Sequence, residues 1–218
     1  MPKVSAVIPT LNEVSTIKMV LDSLPKDVVD EVLVIDGHST DGTVELVKSL
    51  GYQVYFEEGN GFGAAFATGA KKATGEIVVF INSDFSHDAA DIPKFLEKIK
   101  EGYDMVMASR YMKGGGSEDD SLLHYIGNRI ITFTVNLVHR THFSDILYFY
   151  LAAKKEVFDR VETKAQGFEY CIYWPIKSHK GCFKITQIPS FERKRAGGKA
   201  KVNALIHGTK IFLSIFKY

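Results

Sequence analysis

The fold is decided by the stretch Ile77 to Pro93, which reads IVVFINSDFSHDAADIP. It opens with five apolar residues, mostly β-branched, a pattern typical of a strand that is buried on both faces of a parallel sheet. The strand is predicted to end at Asn82, and Asp91 followed by Pro93 favours the start of a helix. The polar residues in between therefore lie beyond the carboxyl end of a strand, where open α/β sheets bind their ligands.

This polar segment has two interpretations from the residues alone. Its oxygen donors are the side chains of Asn82, Ser83, Asp84, Ser86 and Asp88. Such oxygens suit a hard divalent cation, Mg²⁺ or Mn²⁺, which usually comes with phosphates. Alternatively, the segment is an acidic loop that caps the following helix. Both interpretations remain open at this point.

Strand patterns alternate with helical patterns through the first half of the chain. The strands are expected at Val4–Ile8, Glu31–Ile35, Gln53–Phe56, Ile77–Ile81 and Asp104–Ser109. The helices between them are expected at Ser15–Leu24, Val44–Leu50, Ala64–Ala73 and Ile92–Lys100. This alternation predicts an α/β fold with a doubly wound, mostly parallel central sheet flanked by helices.

The pattern changes after Arg110. A glycine-rich acidic loop at residues 114–120 precedes predicted helices at Leu122–Val138, Phe168–Ser178 and Val202–Phe216 and predicted strands at Ile146–Ala152 and Phe183–Phe191. We expect one continuous domain over residues 1–218, with residues 1–110 and 111–218 as its two parts. The last helix is amphipathic, and it either packs on the domain or lies on a membrane.

Charge is distributed unevenly along the chain, although the net charge is only +1. Residues 1–150 contain 13 lysines and arginines against 21 aspartates and glutamates, whereas residues 151–218 contain 14 against 5. A basic second part suits phosphates or an anionic membrane surface, although solvated lysines explain the same excess. Nucleic acid is not expected as a partner, because the positive charge forms one loop, Arg193–Lys201, without interleaved aromatic residues.

Hydropathy gives an expectation for the location of the protein in the cell. No apolar run reaches the roughly 18 residues that a membrane-spanning helix needs. The N-terminal sequence MPKVSAVIP lacks the cationic and apolar segments of a secretory signal. We therefore expect a cytoplasmic protein, peripheral on the cytosolic face of a membrane if it meets a membrane at all.

Several polar turns and one basic segment occur in the order seen in a known enzyme family. They are Pro9–Glu13 (PTLNE), Ile35–Thr43 (IDGHSTDGT), Gly61–Ala65 (GFGAA), Asn82–Asp84 (NSD), Ser109–Tyr111 (SRY) and Arg195–Lys201 (RAGGKAK). Together they resemble the motifs of the family 2 inverting glycosyltransferases, which have the GT-A fold. The last motif is similar to one in the dolichol-phosphate mannosyltransferase branch. Each motif alone is weak, but their order along the chain identifies the family.

The resemblance implies a nucleotide-diphosphate sugar as donor and Mg²⁺ or Mn²⁺ as cofactor. It assigns nucleotide-sugar binding to Pro9, Asn12, Glu13, Asp36, Gly63 and Ser83, metal binding to Asn82, Asp84 and Ser86, and catalysis to Asp84, Arg110 and Arg195. Residues 1–110 then form the nucleotide-sugar-binding part, and residues 111–218 form the acceptor-binding part.

Two positions depart from the family pattern. Many members have a second aspartate directly after the one that Asp36 matches, where this chain has Gly37. The family's Asp-X-Asp metal motif is matched by Asn82–Asp84, so a neutral amide oxygen stands in place of the first carboxylate. We expect the metal either to bind less tightly or to depend on Asp84, Ser86 and the substrate diphosphate.

The resemblance also implies that the acceptor is a polyprenyl or dolichyl phosphate. A phosphate acceptor is already ionised at pH 7 and needs no general base. Cations must instead offset the repulsion between two anionic phosphates. Arg129, Arg195 and Lys201 are the predicted acceptor-phosphate ligands.

Two alternative functions stay open. If the acceptor is a saccharide hydroxyl, a carboxylate must remove its proton, and Asp145 and Glu169 are the candidates for that base. The other alternative is a nucleotide-binding regulatory homologue that has lost turnover, for which Asn82 is the best argument.

Overall fold

The computed structural model describes residues 2–161, 167–197 and 204–218. The strands are β1 (Val4–Thr10), β2 (Glu31–Asp36), β3 (Gln53–Phe56), β4 (Ile77–Phe80), β5 (Met105–Ser109), β6 (Gly116–Ser117), β7 (Leu151–Lys154), β8 (Ile185–Pro189) and β9 (Phe191–Glu192). The helices are α1 (Ile17–Ser23), α2 (Thr43–Ser49), α3 (Phe62–Lys72), α4 (Ile92–Lys100), α5 (Leu122–His139), α6 (Lys155–Arg160), α7 (Tyr170–Lys180) and α8 (Ala204–Ser214). A 3₁₀ turn, Ala89–Asp91, directly precedes α4.

The main sheet has seven strands in the order β3-β2-β1-β4-β7-β5-β8. The pairs β1–β2, β1–β4, β2–β3 and β5–β8 are parallel, whereas β7 runs antiparallel to both of its neighbours. β6 and β9 form a separate parallel pair. The prediction of a mostly parallel α/β sheet is confirmed, and strands from residues 1–110 and 111–218 share this sheet.

Helices cover both faces of the sheet, because side chains of the buried strands alternate between two apolar cores. In β1, Ala6 and Ile8 face the core that includes α1, α2 and α4, whereas Val7 faces the core that includes α3 and α5 to α8. In β4, Val79 joins the first core and Phe80 joins the second. The sheet is therefore doubly wound.

The carboxyl ends of β1, β2 and β4 meet at one edge of the sheet. Thr10 and Asp36 end β1 and β2 as register partners, and the Gly37 amide donates a hydrogen bond to the Thr10 carbonyl over 2.8 Å. On the other side of β1, Val7 pairs with Phe80 at the end of β4. The turns that follow these three strands thus lie side by side, as the sequence predicts.

The strand predicted at Ile146–Ala152 is wrong in its bounds, because β7 begins only at Leu151. The Asp145 carboxylate accepts hydrogen bonds from the amides of Leu147 and Tyr148 over 3.1 and 3.3 Å. These bonds turn the chain ahead of the strand, and an apolar run does not reveal such a turn.

The strand predicted at Phe183–Phe191 is divided in the structure. Its first part is β8 in the main sheet, and β9 pairs with β6 outside that sheet. The alternation of apolar and polar residues continues across the division, so the pattern gives no sign of the change of partner.

The last helix packs on the domain, one of its two expected arrangements. Ile211 in α8 and Ile215 just after it are buried in the core that includes α5 and α7. The longest helix, α5, has 18 residues. Among the residues that the structure describes, no helix combines the length and apolar character needed to cross a bilayer.

Candidate active site

A pocket of about 450 Å³ opens at the edge where β1, β2 and β4 end. The three turns after these strands supply its polar lining: Pro9, Thr10, Leu11 and Glu13, then Gly37, then Asn82, Ser83 and Asp84. Arg110 after β5, Glu192 in β9 and Arg195 in the basic segment add charged groups. The pocket thus unites most of the residues that the motifs single out.

Hydrogen bonds fix the turn after β1 to the turn after β2. Asn12 has a positive φ of 51°, its side-chain oxygen accepts from the Thr40 amide over 2.8 Å, and its own amide donates to Ser39 Oγ over 2.8 Å. The buried Asp36 accepts from the amide and hydroxyl of Ser39 over 2.7 and 2.6 Å. Asn12 and Asp36 therefore position these turns, although neither belongs to the pocket lining.

The turn after β4 presents Asn82, Ser83 and Asp84 to the pocket. Ser83 Oγ donates to the Pro9 carbonyl over 2.9 Å, which joins this turn to the one after β1. Asp84 Oδ1 accepts from the amide and hydroxyl of Ser86 over 3.0 and 2.7 Å. Ser86 thus orients the Asp84 carboxylate and is itself outside the lining.

The capping interpretation of the segment after β4 holds for one of its carboxylates. Asp88 Oδ1 accepts from the Ala90 amide over 3.1 Å and caps the 3₁₀ turn that leads into α4. Asp84 instead faces the pocket. The carboxylate that caps the turn is therefore not the one that lines the pocket.

Arg195 enters the pocket from the basic segment and contacts two carboxylates there. Its Nη2 lies 3.1 Å from Asp84 Oδ2 and 3.4 Å from Glu13 Oε1. The Ala196 amide donates to the Asp84 carbonyl over 3.1 Å, which holds the segment along the turn after β4. The structure therefore brings Arg195 together with Glu13 and Asp84, whereas Lys201 lies outside the described residues.

Arg110 also lines the pocket, but three carboxylates surround its guanidinium. Its Nε and Nη2 contact Asp145 over 2.7 and 3.2 Å, and its Nη1 lies 3.2 Å from Glu192 and 3.4 Å from Asp120. Burial disfavours the charge, yet Asp145, Glu192 and Tyr111 together outweigh this effect and hold the pKa of Arg110 well above its ordinary value. The pair engages both carboxylate oxygens of the buried Asp145.

The apolar side of the pocket lies mostly outside the motifs, with Phe62 of the Gly61–Ala65 motif as the exception. It is lined by Phe62, Leu147, Phe149 and Phe168. Phe62 stacks on Phe168 with ring centroids 4.9 Å apart and meets Phe149 edge-on at 6.1 Å. For the remaining residues the signal in the sequence is the aromatic run Tyr148–Tyr150, whose buried side chains suit a core or a face towards a sugar or lipid chain.

His87 is a second pocket residue without an assignment from the motifs. Its Nδ1 accepts from the Asn82 amide over 3.2 Å, and its ring stacks on Tyr150 with centroids 4.5 Å apart. Burial lowers the pKa of His87 to about 4, so the ring is neutral and carries its hydrogen on Nε2. Nε2 is buried and has no hydrogen-bond partner among the described residues.

Some predicted site residues lie away from the pocket lining. Gly63 is buried in the first turn of α3. Arg129 on α5 is exposed, donates to the Ser144 carbonyl over 3.2 Å, and lies over the Tyr111 ring at 5.6 Å. Glu169, a candidate base, lies at the start of α7, where its carboxylate accepts from the Gly167 amide over 3.3 Å.

The oxygen donors of the pocket fit a hard divalent cation that is bound together with a diphosphate. Asp84 supplies one carboxylate and Asn82 a neutral oxygen. In the described parts of the chain, no three His, Cys, Asp or Glu side chains form a group able to hold a metal. Mg²⁺ is commonly held by one or two carboxylates plus substrate phosphates, so this donor set is sufficient only with the substrate present.

Comparisons with known proteins identify the family of the chain. The family model described as Glycosyl transferase family 2 matches residues 5–161. The glycosyltransferase AglJ of Haloferax volcanii is 32% identical over 213 residues, which cover 96% of this chain and 69% of that protein. A dolichol-phosphate mannosyltransferase of Pyrococcus furiosus is 29% identical over 210 residues, which cover 92% of this chain and 59% of that protein.

A solved structure shares the fold over nearly the whole chain. Glucosyl-3-phosphoglycerate synthase of Mycobacterium tuberculosis, crystallised with Mn²⁺, UDP-glucose and phosphoglyceric acid, superposes with a TM-score of 0.78 at 25% identity. The superposition covers 99% of this chain and 78% of that chain. The doubly wound sheet is thus a GT-A fold. The family model spans most of the chain, which belongs to glycosyl transferase family 2 and is a nucleotide-sugar-dependent glycosyltransferase.

Proposed function

We propose that the protein transfers a hexose from a nucleotide-diphosphate sugar to a polyprenyl or dolichyl phosphate, with inversion at the anomeric carbon. The observation that carries this proposal is the state of the carboxylates in the pocket. Each of them already contacts a cation or a backbone donor. A pocket of this kind suits an acceptor that arrives already ionised.

The carboxylates that line the pocket are those of Glu13, Glu57, Asp84 and Glu192. Arg195 contacts Glu13 and Asp84, and Arg110 contacts Glu192. The Gly61 amide donates to Glu57 over 3.0 Å. A hydroxyl acceptor would need one of these groups as a general base, whereas a phosphate oxygen attacks without losing a proton.

The polar lining supports the donor side of the proposal. Pro9, Glu13 and Ser83 lie in turns that are joined to each other, and they suit contacts with a base and ribose. Asn12 and Asp36 act by holding those turns in place. Gly63 lies next to Phe62, where a small residue allows α3 to begin close to the donor.

A divalent cation completes the donor site in this proposal. Asp84 and Asn82 would hold Mg²⁺ or Mn²⁺ on the donor diphosphate, with Ser86 orienting Asp84. The cation supplies positive charge to the leaving diphosphate. The Mn²⁺ and UDP-glucose found with the glucosyl-3-phosphoglycerate synthase support this assignment by analogy.

The transfer itself exchanges one bond for another. An oxygen of the acceptor phosphate bonds to the anomeric carbon while the bond from that carbon to the donor diphosphate breaks. The nucleoside diphosphate leaves with the bonding electrons. Arg195 is the proposed ligand of the acceptor phosphate. Arg110 acts mainly by fixing the side of the pocket next to Arg195, because three carboxylates already offset the charge of Arg110.

The apolar lining supports a lipid acceptor. Phe62, Phe149 and Phe168 offer contact area that suits the isoprenoid units next to a lipid phosphate. The dolichol-phosphate mannosyltransferase of Pyrococcus furiosus is a relative whose name includes such an acceptor. The protein would then work as a peripheral protein on the cytosolic face of a membrane.

The test is a transfer assay with donor and acceptor varied independently. The purified protein and Mn²⁺ are incubated with GDP-mannose, UDP-glucose or UDP-N-acetylglucosamine, and with polyprenyl phosphate, phosphoglyceric acid or a disaccharide. Mass spectrometry of the organic and aqueous phases identifies the product. We expect a hexosyl polyprenyl phosphate from one of the three donors.

Other outcomes would replace the proposal with a named alternative. Product formed only from the disaccharide or from phosphoglyceric acid would overturn the lipid acceptor. Calorimetric binding of one nucleotide without any product would favour the regulatory homologue. Absence of nucleotide binding by the folded protein would overturn the donor site as well.

A further inference from the structure

The outward face of α5 is apolar along most of the helix. Its apolar stripe consists of Leu122, Leu123, Ile126, Ile130, Phe133 and Leu137, all solvent-exposed. Leu122 is 75% exposed, Phe133 68% and Leu137 70%. At 3.6 residues per turn these positions fall on one side of the helix, and they extend over roughly 22 Å.

The opposite side of α5 attaches the helix to the domain. Ile131, Thr132 and Val135 are buried there. A surface helix normally turns its apolar side inwards and its polar side to water. Because α5 has apolar residues on both sides, its outward stripe marks an interaction surface.

The apolar stripe begins beside the pocket. Ser121 caps α5, and its Oγ accepts from the His124 amide over 3.3 Å. Asp120, the residue before the cap, contacts Arg110 over 3.4 Å and accepts from the Tyr111 hydroxyl over 2.6 Å. The first leucine of the stripe is therefore two residues from a side chain that contacts the pocket lining.

The far end of α5 meets α8, which adds exposed apolar side chains of its own. His139 Nε2 donates to the Ile215 carbonyl over 2.8 Å, and Leu213 and Phe216 on either side of Ile215 are exposed. Neither α5 nor α8 contains an aspartate or glutamate. Positive charge at this end comes from Lys210 in α8, from Lys217 just after it, and from Lys180, whose Nζ contacts the Tyr218 carbonyl.

We propose that the apolar stripe of α5, extended by Leu213 and Phe216, is the surface on which the protein lies in an anionic lipid bilayer. The apolar side chains enter the boundary between headgroups and acyl chains, and the basic residues near α8 attract anionic headgroups. This inference rests on the proposed function in one respect: a lipid phosphate has to reach the pocket from a bilayer, which gives the protein a reason to bind a membrane.

A second copy of the chain suits this surface less well. In a two-fold symmetric dimer the same patch forms both sides of the interface, so the lysines near α8 would enter that interface twice. A dimer on the stripe would also cover Leu122 and Leu123 next to the pocket. A bilayer offers acyl chains to the apolar stripe and anionic headgroups to the positive charge.

The experiment is flotation of the protein with phosphatidylcholine vesicles, with and without phosphatidylglycerol, and without any sugar donor. The test variant is Leu123→Glu with Phe133→Glu, whose side chains are exposed and remote from both cores. The matched control is Met19→Glu, because Met19 is an exposed apolar residue on α1, on the other face of the sheet. Circular dichroism confirms that all three proteins are folded.

We expect the native protein and Met19→Glu to float with the anionic vesicles, and the double variant to bind at least tenfold less. Equal binding by the double variant, or no binding by the native protein, would overturn the proposal. A dimer seen by sedimentation equilibrium that the double variant dissociates, without vesicle binding, would assign the surface to a second copy.

Transfer to a short-chain, water-soluble polyprenyl phosphate separates this inference from the proposed function. We expect the double variant to keep that transfer and to lose transfer to vesicle-embedded acceptor. If no form of the protein transfers to lipid phosphate, the proposed function fails, whereas the flotation result still decides the membrane surface.

Discussion

The guanidinium of Arg195 lies 3.1 Å from the carboxylate of Asp84, although the two residues are 111 positions apart in the chain. Asp84 is the one carboxylate of the Asn82–Asp84 motif, and Arg195 contacts its Oδ2. The protein itself therefore places positive charge beside this carboxylate. In the proposed metal site a divalent cation would compete with Arg195 for Asp84.

Replacement of Arg195 by glutamine is therefore expected to tighten Mn²⁺ binding in the absence of nucleotide. Removing the guanidinium frees Asp84 Oδ2 and takes a positive charge away from the incoming cation. We expect the Mn²⁺ dissociation constant, measured by electron paramagnetic resonance, to fall about tenfold, which corresponds to about 1.4 kcal/mol.

The control for this measurement is Arg193→Gln in the same basic segment. Arg193 pairs with Asp88 over 2.9 Å and does not line the pocket. Its replacement is expected to leave Mn²⁺ binding unchanged. Equal effects of the two substitutions would show that Arg195 acts only through the general charge of the segment.

Asp145→Asn is expected to destabilise the fold strongly. The substitution keeps the shape of the side chain but removes the negative charge that faces a buried guanidinium on Arg110. Breaking a buried ion pair in this way costs about 3 kcal/mol, even with Glu192 and Asp120 nearby. The midpoint of urea unfolding measures the loss of stability.

The control is Glu101→Gln, which breaks the exposed ion pair with Lys98 and should leave the urea midpoint unchanged. Equal shifts of the urea midpoint in the two variants would contradict this prediction.

His87 is expected to make the stability of the metal-free protein depend on pH. Burial lowers the pKa of His87 from 6.5 to about 4, so between these values the unfolded chain binds a proton that the folded protein does not. Stability then rises with pH across this window and is lost as the pH falls to 4, by about 3 kcal/mol in all.

Urea unfolding from pH 4 to pH 7 tests this dependence. The variant His87→Gln has no titrating group at this position, so its stability should vary less with pH than that of the native protein. Parallel curves for the two proteins would mean that other groups cause the dependence.

Gly69 and Gly127 offer a matched pair of helix substitutions with opposite expected signs. A Cβ at Gly69 in α3 would lie 2.2 Å from Val7 Cγ1, so Gly69→Ala overpacks the contact between α3 and β1 and costs about 2 kcal/mol. A Cβ at Gly127 in α5 meets nothing within 4 Å, and Gly127→Ala should stabilise by about 0.7 kcal/mol. Thermal unfolding distinguishes the two. A stable Gly69→Ala variant would show that α3 can move away from the sheet.

The sequence predicts the polar half of the site well, because strand patterns and polar turns are local features. The turns at Pro9–Glu13 and Asn82–Asp84 follow strands that parallel pairing brings together, so their meeting follows from the fold class alone. Asp36 and Asn12 hold turns in place and do not line the pocket. The orientation of their side chains depends on hydrogen bonds with Ser39 and Thr40, which the motifs do not predict.

The other half of the site depends on contacts between distant segments. Arg110 meets Asp145 from 35 residues away, across a loop and α5, and nothing in the periodicity of either segment indicates that pairing. The apolar lining similarly combines Phe62 of α3 with Phe168 before α7. Long-range packing of this kind is set by the shapes of whole elements, which a single sequence does not display.

The antiparallel strand β7 has a consequence for synthesis of the chain. It lies between β4 and β5, so both strands of the first half keep an unpaired edge until residues 151–154 have been made. Within residues 1–110 only β3, β2, β1 and β4 can pair, whereas β5 has no partner until β7 and β8 have been made. Unpaired strand edges are prone to aggregation, so a chain that stops growing between residues 110 and 150 exposes β4 and β5 to that risk.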